Sequence, residues 1–175
     1  MTERITIAQL DGPAARQHRD ALAEILCDCV EGGASVSFMW PFDTDRSRAY
    51  WTGVETAIGE DRLRLYVASC GGRIGGTVQL WLDCPPNQKH RGDIRKLLVH
   101  RALRRLGLAR ELMRHAERDA RELGLSLLTL DTVTHGPAER LYESLSWQRV
   151  GVIPNFAKWP DGRFCDTTVF CKTIA

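Results

Sequence analysis

Apolar residues recur at helical spacing in four stretches of the chain, and this pattern predicts four amphipathic α-helices. The predicted helices cover residues 14–30, 45–58, 106–123 and 137–145. The third has the clearest apolar stripe, and Gly124 follows it as a helix terminator. The stripe consists of Leu108, Leu112, Ala116, Ala120 and Leu123. One face of this helix is therefore expected to pack against a sheet.

Seven shorter apolar runs accompany these helices and have the length and composition of β-strands. They cover residues 5–10, 64–69, 74–82, 93–99, 126–131, 147–153 and 165–172. Gly71 and Gly72 form a hairpin signal between the second and third runs. Strands and helices in this order predict an α/β (α+β) fold, with a mixed central sheet of about seven strands and helices on both faces.

Length and composition fit a single domain that spans residues 1–175, since 43% of the 175 residues are hydrophobic. The 24 basic and 22 acidic residues give a net charge of +2 and are spread along the chain, so no nucleic-acid partner is expected. The six cysteines include no C-x-x-C pair, which favours free thiols and no metal site. Without an apolar leader or a run of about 18 apolar residues, we expect a cytoplasmic protein with no membrane partner.

The segment from Lys96 to Arg114 passes from an apolar strand through an arginine-rich turn into a helix. The first N–H groups of a helix lack partners and carry a partial positive charge, so such a turn suits a bound pyrophosphate. Gly107 and Ala109 would let a ligand approach the backbone closely. Full positive charges would come from Arg104, Arg105 and Arg110. An ordinary helix start with surface arginines has the same pattern, and the residues alone leave both interpretations open.

Residues 104–109, Arg-Arg-Leu-Gly-Leu-Ala, fit the R/Q-x-x-G-x-G/A signature of the GNAT acyltransferases, and the pair Leu141-Tyr142 follows where that family has a Leu-Tyr pair. Nearly the entire chain resembles this family. Within it, residues 32–39, 96–99, 130–132 and 160–163 are similar to the tabtoxin-resistance acetyltransferases. The resemblance implies the GNAT fold and an acetyl-CoA-dependent N-acetyltransferase. It also implies transfer to a small amine, such as an amino-acid-like toxin or antibiotic of the tabtoxinine-β-lactam type.

The resemblance also implies which residues hold acetyl-CoA. Backbone groups of Leu98, Val99 and His100 would bind the pantetheine arm and polarise the acetyl carbonyl. The pyrophosphate would lie on the amides of Arg104, Arg105, Leu106, Gly107, Leu108 and Ala109. Arg101 or Arg110 would reach the outer phosphates.

Amine attack on a thioester requires a base, because an alkylamine with a pKa near 10.4 is mostly protonated at neutral pH. Asp93 and Asp131 are the candidates, with Asp131 favoured, although each carboxylate also fits a cap or a turn. The resemblance implies that Tyr142 protonates the departing thiolate as a general acid. Without the resemblance, an aromatic residue at position 142 is more simply explained as packing against the sheet.

The loop at residues 31–43 has an unusual content of large apolar residues. In this family it lies over the acceptor, which implies that Glu31, Ser35, Phe38 and Trp40 bind substrate. Simple packing of its aromatics onto the sheet is an equally good interpretation. Residues 159–164 would close the opposite wall or form an exposed turn.

Three alternatives remain at this stage. The acceptor could be a protein lysine or N-terminus, or the chain could be a non-catalytic module that binds acyl-CoA. Nucleic-acid binding by the arginines of residues 101–121 ranks far below both, because acidic residues offset them and no aromatics interleave. The expected partners are acetyl-CoA and a small-molecule amine, and a homodimer is left open.

Overall fold

The computed structural model describes residues 4–174, which form seven strands and five α-helices. The strands are β1 (Ile5–Leu10), β2 (Leu63–Cys70), β3 (Arg73–Trp81), β4 (Arg91–Val99), β5 (Leu127–Val133), β6 (Gln148–Lys158) and β7 (Phe164–Thr173). The helices are α1 (Gly12–Gln17), α2 (Arg19–Glu31), α3 (Thr44–Gly59), α4 (Leu108–Glu122) and α5 (Pro137–Ser144).

All seven strands belong to one mixed sheet with the order β1-β2-β3-β4-β5-β7-β6. Only β4 and β5 pair in parallel, and α4 connects them, whereas every other neighbouring pair is antiparallel. A parallel pair requires a crossover connection of this kind. The predicted fold class and strand number are confirmed.

Two hydrophobic cores lie on opposite faces of the sheet. On one face, α4 and α5 bury side chains such as Leu112 and Tyr142 against Leu80 and Phe170. On the other face, α1, α2 and α3 cover β2 and the neighbouring strands, and Trp51 is almost fully buried there. Helices thus cover both faces of the sheet.

Two predicted helix boundaries were wrong. The single helix expected at residues 14–30 is two helices, because His18 leaves helical geometry with ψ 10° and is both the end of α1 and the start of α2. The helix expected from residue 106 begins at Leu108, because Gly107 has a φ of +98° and no helix can continue through that conformation. In both cases the helical spacing of apolar residues continued across a residue whose backbone is not helical.

Within residues 4–174, no helix combines the length and apolar character needed to cross a bilayer. The same residues contain no cluster of three or more His, Cys, Asp or Glu side chains arranged to hold a metal ion.

Candidate active site

Strand β4 contains a β-bulge at the centre of the sheet. Leu98 lies opposite Thr77 of β3, whereas Arg95 lies opposite Gln79, so β4 has one more residue than β3 over this interval. Lys96 takes up the extra length with a φ of +49°. Such a bulge bends its strand and re-aims the side chains that follow.

The bulge reverses which face of the sheet each β4 side chain occupies. Ile94 packs in the core under α4, whereas Leu98 packs in the core under α1–α3, although the two are an even number of residues apart. The parallel ladder to β5 covers only residues 91–93 and 127–129. Beyond it, the two strands separate.

A cavity of about 850 Å³ opens where β4 and β5 separate. On one side it is lined by Val99 and by most of residues 103–110, which we call the cofactor side. On the other it is lined by residues 33–37, by Lys96 and by parts of residues 157–167, which we call the acceptor side. Asp131 and Tyr142 also line the cavity.

The cofactor side includes the exposed start of α4. Gly107 precedes the helix in left-handed geometry, and no side chain caps it. In the described residues, the backbone N–H groups of Leu108, Ala109 and Arg110 have no acceptor, whereas that of Glu111 donates to the Gly107 carbonyl at 3.2 Å. Unsatisfied N–H groups at a helix start, together with the helix dipole, form an anion-binding site.

Three predicted arginines surround this helix start and line the cavity: Arg104, Arg105 and Arg110. The Arg104 Nε–H donates to the Val99 carbonyl at 3.3 Å, which holds the turn against the end of β4. Arg110 donates to the Ser144 hydroxyl of α5 at 3.1 Å. Leu106, in the same turn, is half exposed and does not line the cavity.

Arg101 forms ion pairs outside the predicted phosphate site. Its Nε is 2.9 Å from an Asp28 carboxylate oxygen, and its Nη2 is 2.8 Å from Glu31. Arg101 therefore ties the β4–α4 connection to the end of α2, and its guanidinium does not point to the phosphate site. Glu31 does not line the cavity for the same reason, since its carboxylate holds Arg101.

Of the three residues expected to present backbone groups from β4, only one faces the gap. The His100 N–H donates to the Gly75 carbonyl of β3 at 2.9 Å, and Leu98 lies opposite Thr77. Successive residues of a strand direct their N–H groups to opposite sides. The Val99 backbone therefore points away from β3, into the gap.

Asp131 and Tyr142 both line the cavity. The Thr167 hydroxyl donates to the Asp131 carboxylate at 2.8 Å. Burial, with a smaller contribution from the Asp131 charge, raises the pKa of Tyr142 above its ordinary value. The Tyr142 hydroxyl has no hydrogen-bond partner in the described chain, so it can serve a bound ligand.

Asp93 does not reach this cavity. Its carboxylate accepts from Arg91 and from the Thr129 hydroxyl, and Arg95 lies 3.3 Å away. The two guanidinium groups balance the charge of this carboxylate on the sheet surface, and the hydroxyl adds a hydrogen bond.

The acceptor side is held together by contacts between two distant loops. The Ser35 hydroxyl donates to the Lys158 carbonyl at 2.7 Å, and the Trp40 N–H donates to the Pro160 carbonyl at 3.0 Å. The Trp40 indole also donates to the Val30 carbonyl at 3.0 Å. Ser35 lines the cavity and Trp40 does not.

Phe38 lies beside the cavity without lining it. Its ring packs 4.6 Å from that of Phe42 and 5.3 Å from that of Tyr50. The Lys96 ammonium lies 5.7 Å from the Phe38 ring. The pattern of apolar positions could not reveal Lys96 as a cavity residue, because only the bulge directs its side chain there.

Comparison with known proteins identifies a matching family and solved structures of similar fold. Residues 19–147 match the model of the acetyltransferase (GNAT) family. The yncA protein of Salmonella typhimurium, solved with its cofactor acetyl-CoA, is 21% identical, with a TM-score of 0.78 over 98% of this chain and 94% of that one. A ribosomal-protein-alanine N-acetyltransferase of Brucella melitensis is 20% identical, with a TM-score of 0.80 over 96% of this chain and 99% of that one.

Proposed function

Because this chain belongs to the acetyltransferase (GNAT) family, and is thus an N-acetyltransferase with acetyl-CoA as co-substrate, we propose that it acetylates the primary amine of a small molecule. The acceptor would be an amino-acid-like toxin or antibiotic, of which tabtoxinine-β-lactam is one example. The observation that carries this proposal is that two loops are bonded to each other at the acceptor side. Hydrogen bonds from Ser35 and Trp40 join two loops across it, which suits a compact acceptor better than an extended peptide.

The cofactor side fits acetyl-CoA. The unpartnered N–H groups at the start of α4 and the three cavity arginines match a pyrophosphate. A side chain at Gly107 would meet only the Ile5 side chain, at 3.7 Å, so the backbone there is open to a ligand. The Val99 N–H faces the gap between β4 and β5, where the acetyl carbonyl of acetyl-CoA would accept from it.

Each central residue has a chemical role in this proposal. Acetyl-CoA supplies an activated acetyl thioester. Asp131, directly or through water, accepts a proton from the acceptor ammonium and so frees the lone pair for attack. The Val99 N–H donates to the developing oxyanion. Asp93, held between arginines away from the cavity, is left out of the mechanism.

Tyr142 is suited to act as a general acid. Its raised pKa keeps the phenol protonated throughout the neutral range, and its hydroxyl is unengaged in the described chain. A thiolate that leaves beside it can take the phenol proton. The structural role of the ring, which packs 5.7 Å from that of Phe170, is compatible with this function.

A homodimer is also part of the proposal. Strand β6 forms one edge of the sheet, and it and its neighbour expose large apolar side chains. These are Val150, Val152, Ile153, Phe156 and Phe164. Light scattering of the wild-type protein and of Phe156→Glu tests this, since a dimer that uses this edge would dissociate in the variant. A cytoplasmic location is proposed because Cys27, Cys29, Cys84, Cys165 and Cys171 are free thiols, as is usual in a reducing compartment.

The deciding experiment measures release of CoA thiol from acetyl-CoA with a panel of amines. The panel contains tabtoxinine-β-lactam, L-amino acids, polyamines and aminoglycosides. Turnover with a small amine supports the proposal and names the acceptor class. Silence across the panel, with label from radioactive acetyl-CoA entering a peptide library, would replace it with a protein acceptor. Binding of acetyl-CoA without transfer to either would indicate a non-catalytic module.

A further inference from the structure

Lys96 presents an ammonium group to the acceptor side of the cavity. The bulge turns the residue out of the regular alternation of β4, and its Nζ lies 3.1 Å from the Ser37 hydroxyl. The Phe38 and Tyr50 rings lie 5.7 and 5.9 Å from it. The side chain is therefore held in one place by a hydroxyl and two aromatic rings.

This ammonium has no counter-ion in the described chain. Arg91 and Arg95, the other cations on this part of β4, both pair with Asp93. Lys96 forms no ion pair with any described carboxylate, and its only described hydrogen bond goes to Ser37. A largely enclosed charge that is not neutralised by the protein favours an anionic ligand.

The charges around Lys96 also favour a ligand that carries a negative group. Burial and the neighbouring Arg95 charge lower the pKa of Lys96, whereas the Asp131 charge raises it. Asp131, which lines the same cavity, is thus the acidic group that acts on Lys96, and the two form no ion pair. One negative and one positive side chain therefore face a shared space.

We propose that Lys96 binds the carboxylate of the acceptor while Asp131 receives its amine, so that the enzyme selects amino acids over simple amines. The inference rests on the proposed function, since it concerns the acceptor of that same site. A zwitterionic acceptor would neutralise both side chains at once. The ion pair with Lys96 would also fix the amine at a constant distance from the thioester.

The test compares pairs of acceptors that differ only in the α-carboxylate. The pairs are L-leucine with 3-methylbutylamine, L-phenylalanine with 2-phenylethylamine, and L-lysine with cadaverine. Wild-type enzyme and the variants Lys96→Gln, Lys96→Met and Lys96→Arg are assayed for kcat/KM by thiol release. Lys89→Gln is the matched control, because its exposed ammonium lies 4.0 Å from the Asp83 carboxylate and does not line the cavity. Thermal unfolding of each variant establishes that it is folded.

We expect Lys96→Gln and Lys96→Met to lower kcat/KM about 10- to 100-fold for the amino acids, as when one partner of a charge-assisted hydrogen bond is lost. The amines without a carboxylate should change by less than about threefold on the same energy scale. Lys96→Arg should retain part of the preference for amino acids, and Lys89→Gln should retain all of it.

Equal losses for both members of each pair would overturn the inference and leave the proposed function standing. So would an acetyl group found on the Lys96 peptide by mass spectrometry after turnover, because acetylation removes the charge that the inference requires. Failure of the wild-type enzyme to acetylate either member of any pair would overturn the inference. If the broader panel of amines were silent as well, the proposed function would fail with it.

Discussion

The two sides of the cavity are built by different means. The cofactor side uses backbone groups from one continuous stretch, in which a strand ends, a turn follows and α4 begins. The acceptor side uses side chains from segments far apart in sequence, and one of its hydrogen bonds joins residues 123 positions apart, Ser35 and Lys158.

This difference matters for specificity. Free N–H groups at a helix start are supplied by the backbone whatever the side chains are, so the cofactor side tolerates changes in sequence. The acceptor side depends on single side chains such as Lys96 and Ser35, and each substitution there changes which molecule fits. Related enzymes can therefore share the cofactor and differ in the acceptor.

Tyr142 lines the cavity between the two sides, and loss of its hydroxyl should have the largest effect on catalysis. Tyr142→Phe should lower kcat about 10²- to 10³-fold, because general acid catalysis contributes on that scale. The dissociation constant of acetyl-CoA, measured by calorimetry, should change little. An unchanged kcat at saturating acceptor would remove Tyr142 from the mechanism.

The raised pKa of Tyr142 also predicts the shape of the pH profile. A group whose pKa is raised stays protonated to higher pH than usual, so the general acid is not lost as the pH rises through about 10, where a tyrosine normally ionises. Because the acceptor amine becomes free over the same range, kcat/KM for an amine without a carboxylate, which does not depend on the Lys96 charge, should rise with pH without an early alkaline fall. With such an amine, a fall that begins well below pH 10 would contradict this assignment.

The two candidate bases differ in position, because Asp131 lines the cavity whereas Asp93 lies on the sheet surface. Asp131→Asn should lower kcat/KM about 10²-fold through loss of the base. Asp93→Asn should mainly lower the melting temperature, because it leaves Arg91 and Arg95 without their shared carboxylate. The reverse result in thiol-release and unfolding assays would move the base to Asp93.

Most of the residues predicted for the cofactor side line the cavity, whereas most of those predicted for the acceptor side do not, for a physical reason. The start of α4 is local, so its free amides and the need for a glycine at residue 107 follow from neighbours in the chain. The bulge at Lys96 is a register shift against β3, which no pattern of apolar residues records. The ion pair between Glu31 and Arg101 was equally hidden, because its partners lie 70 positions apart.

The cofactor side should respond to a change in backbone conformation. Gly107→Ala forces a Cβ into left-handed geometry, which costs about 1–2 kcal/mol of stability, and displaces the amides that would hold the pyrophosphate. The dissociation constant of acetyl-CoA should rise about tenfold, which corresponds to about 1.4 kcal/mol. Gly53→Ala is the control, because Gly53 lies inside α3 with open space around it and alanine there should raise the melting temperature. Weaker folding of Gly107→Ala with unchanged acetyl-CoA affinity would show that residue 107 matters only for the fold.

The loop contact made by Ser35 should show the smallest effect, because Ser35 acts on the acceptor only through the wall of the cavity. Ser35→Ala removes the hydroxyl that holds the Lys158 carbonyl at 2.7 Å. A partly exposed hydrogen bond is worth about 0.5–1 kcal/mol, so KM for the acceptor should rise about two- to fivefold while kcat and the affinity for acetyl-CoA stay nearly constant. Ser126→Ala removes a hydroxyl 3.4 Å from the His90 carbonyl on another part of the surface. It should leave KM for the acceptor, kcat and the affinity for acetyl-CoA unchanged. An equal rise in the dissociation constant of acetyl-CoA would show that the two sides are mechanically coupled, and the acceptor wall could then not be altered independently of the cofactor.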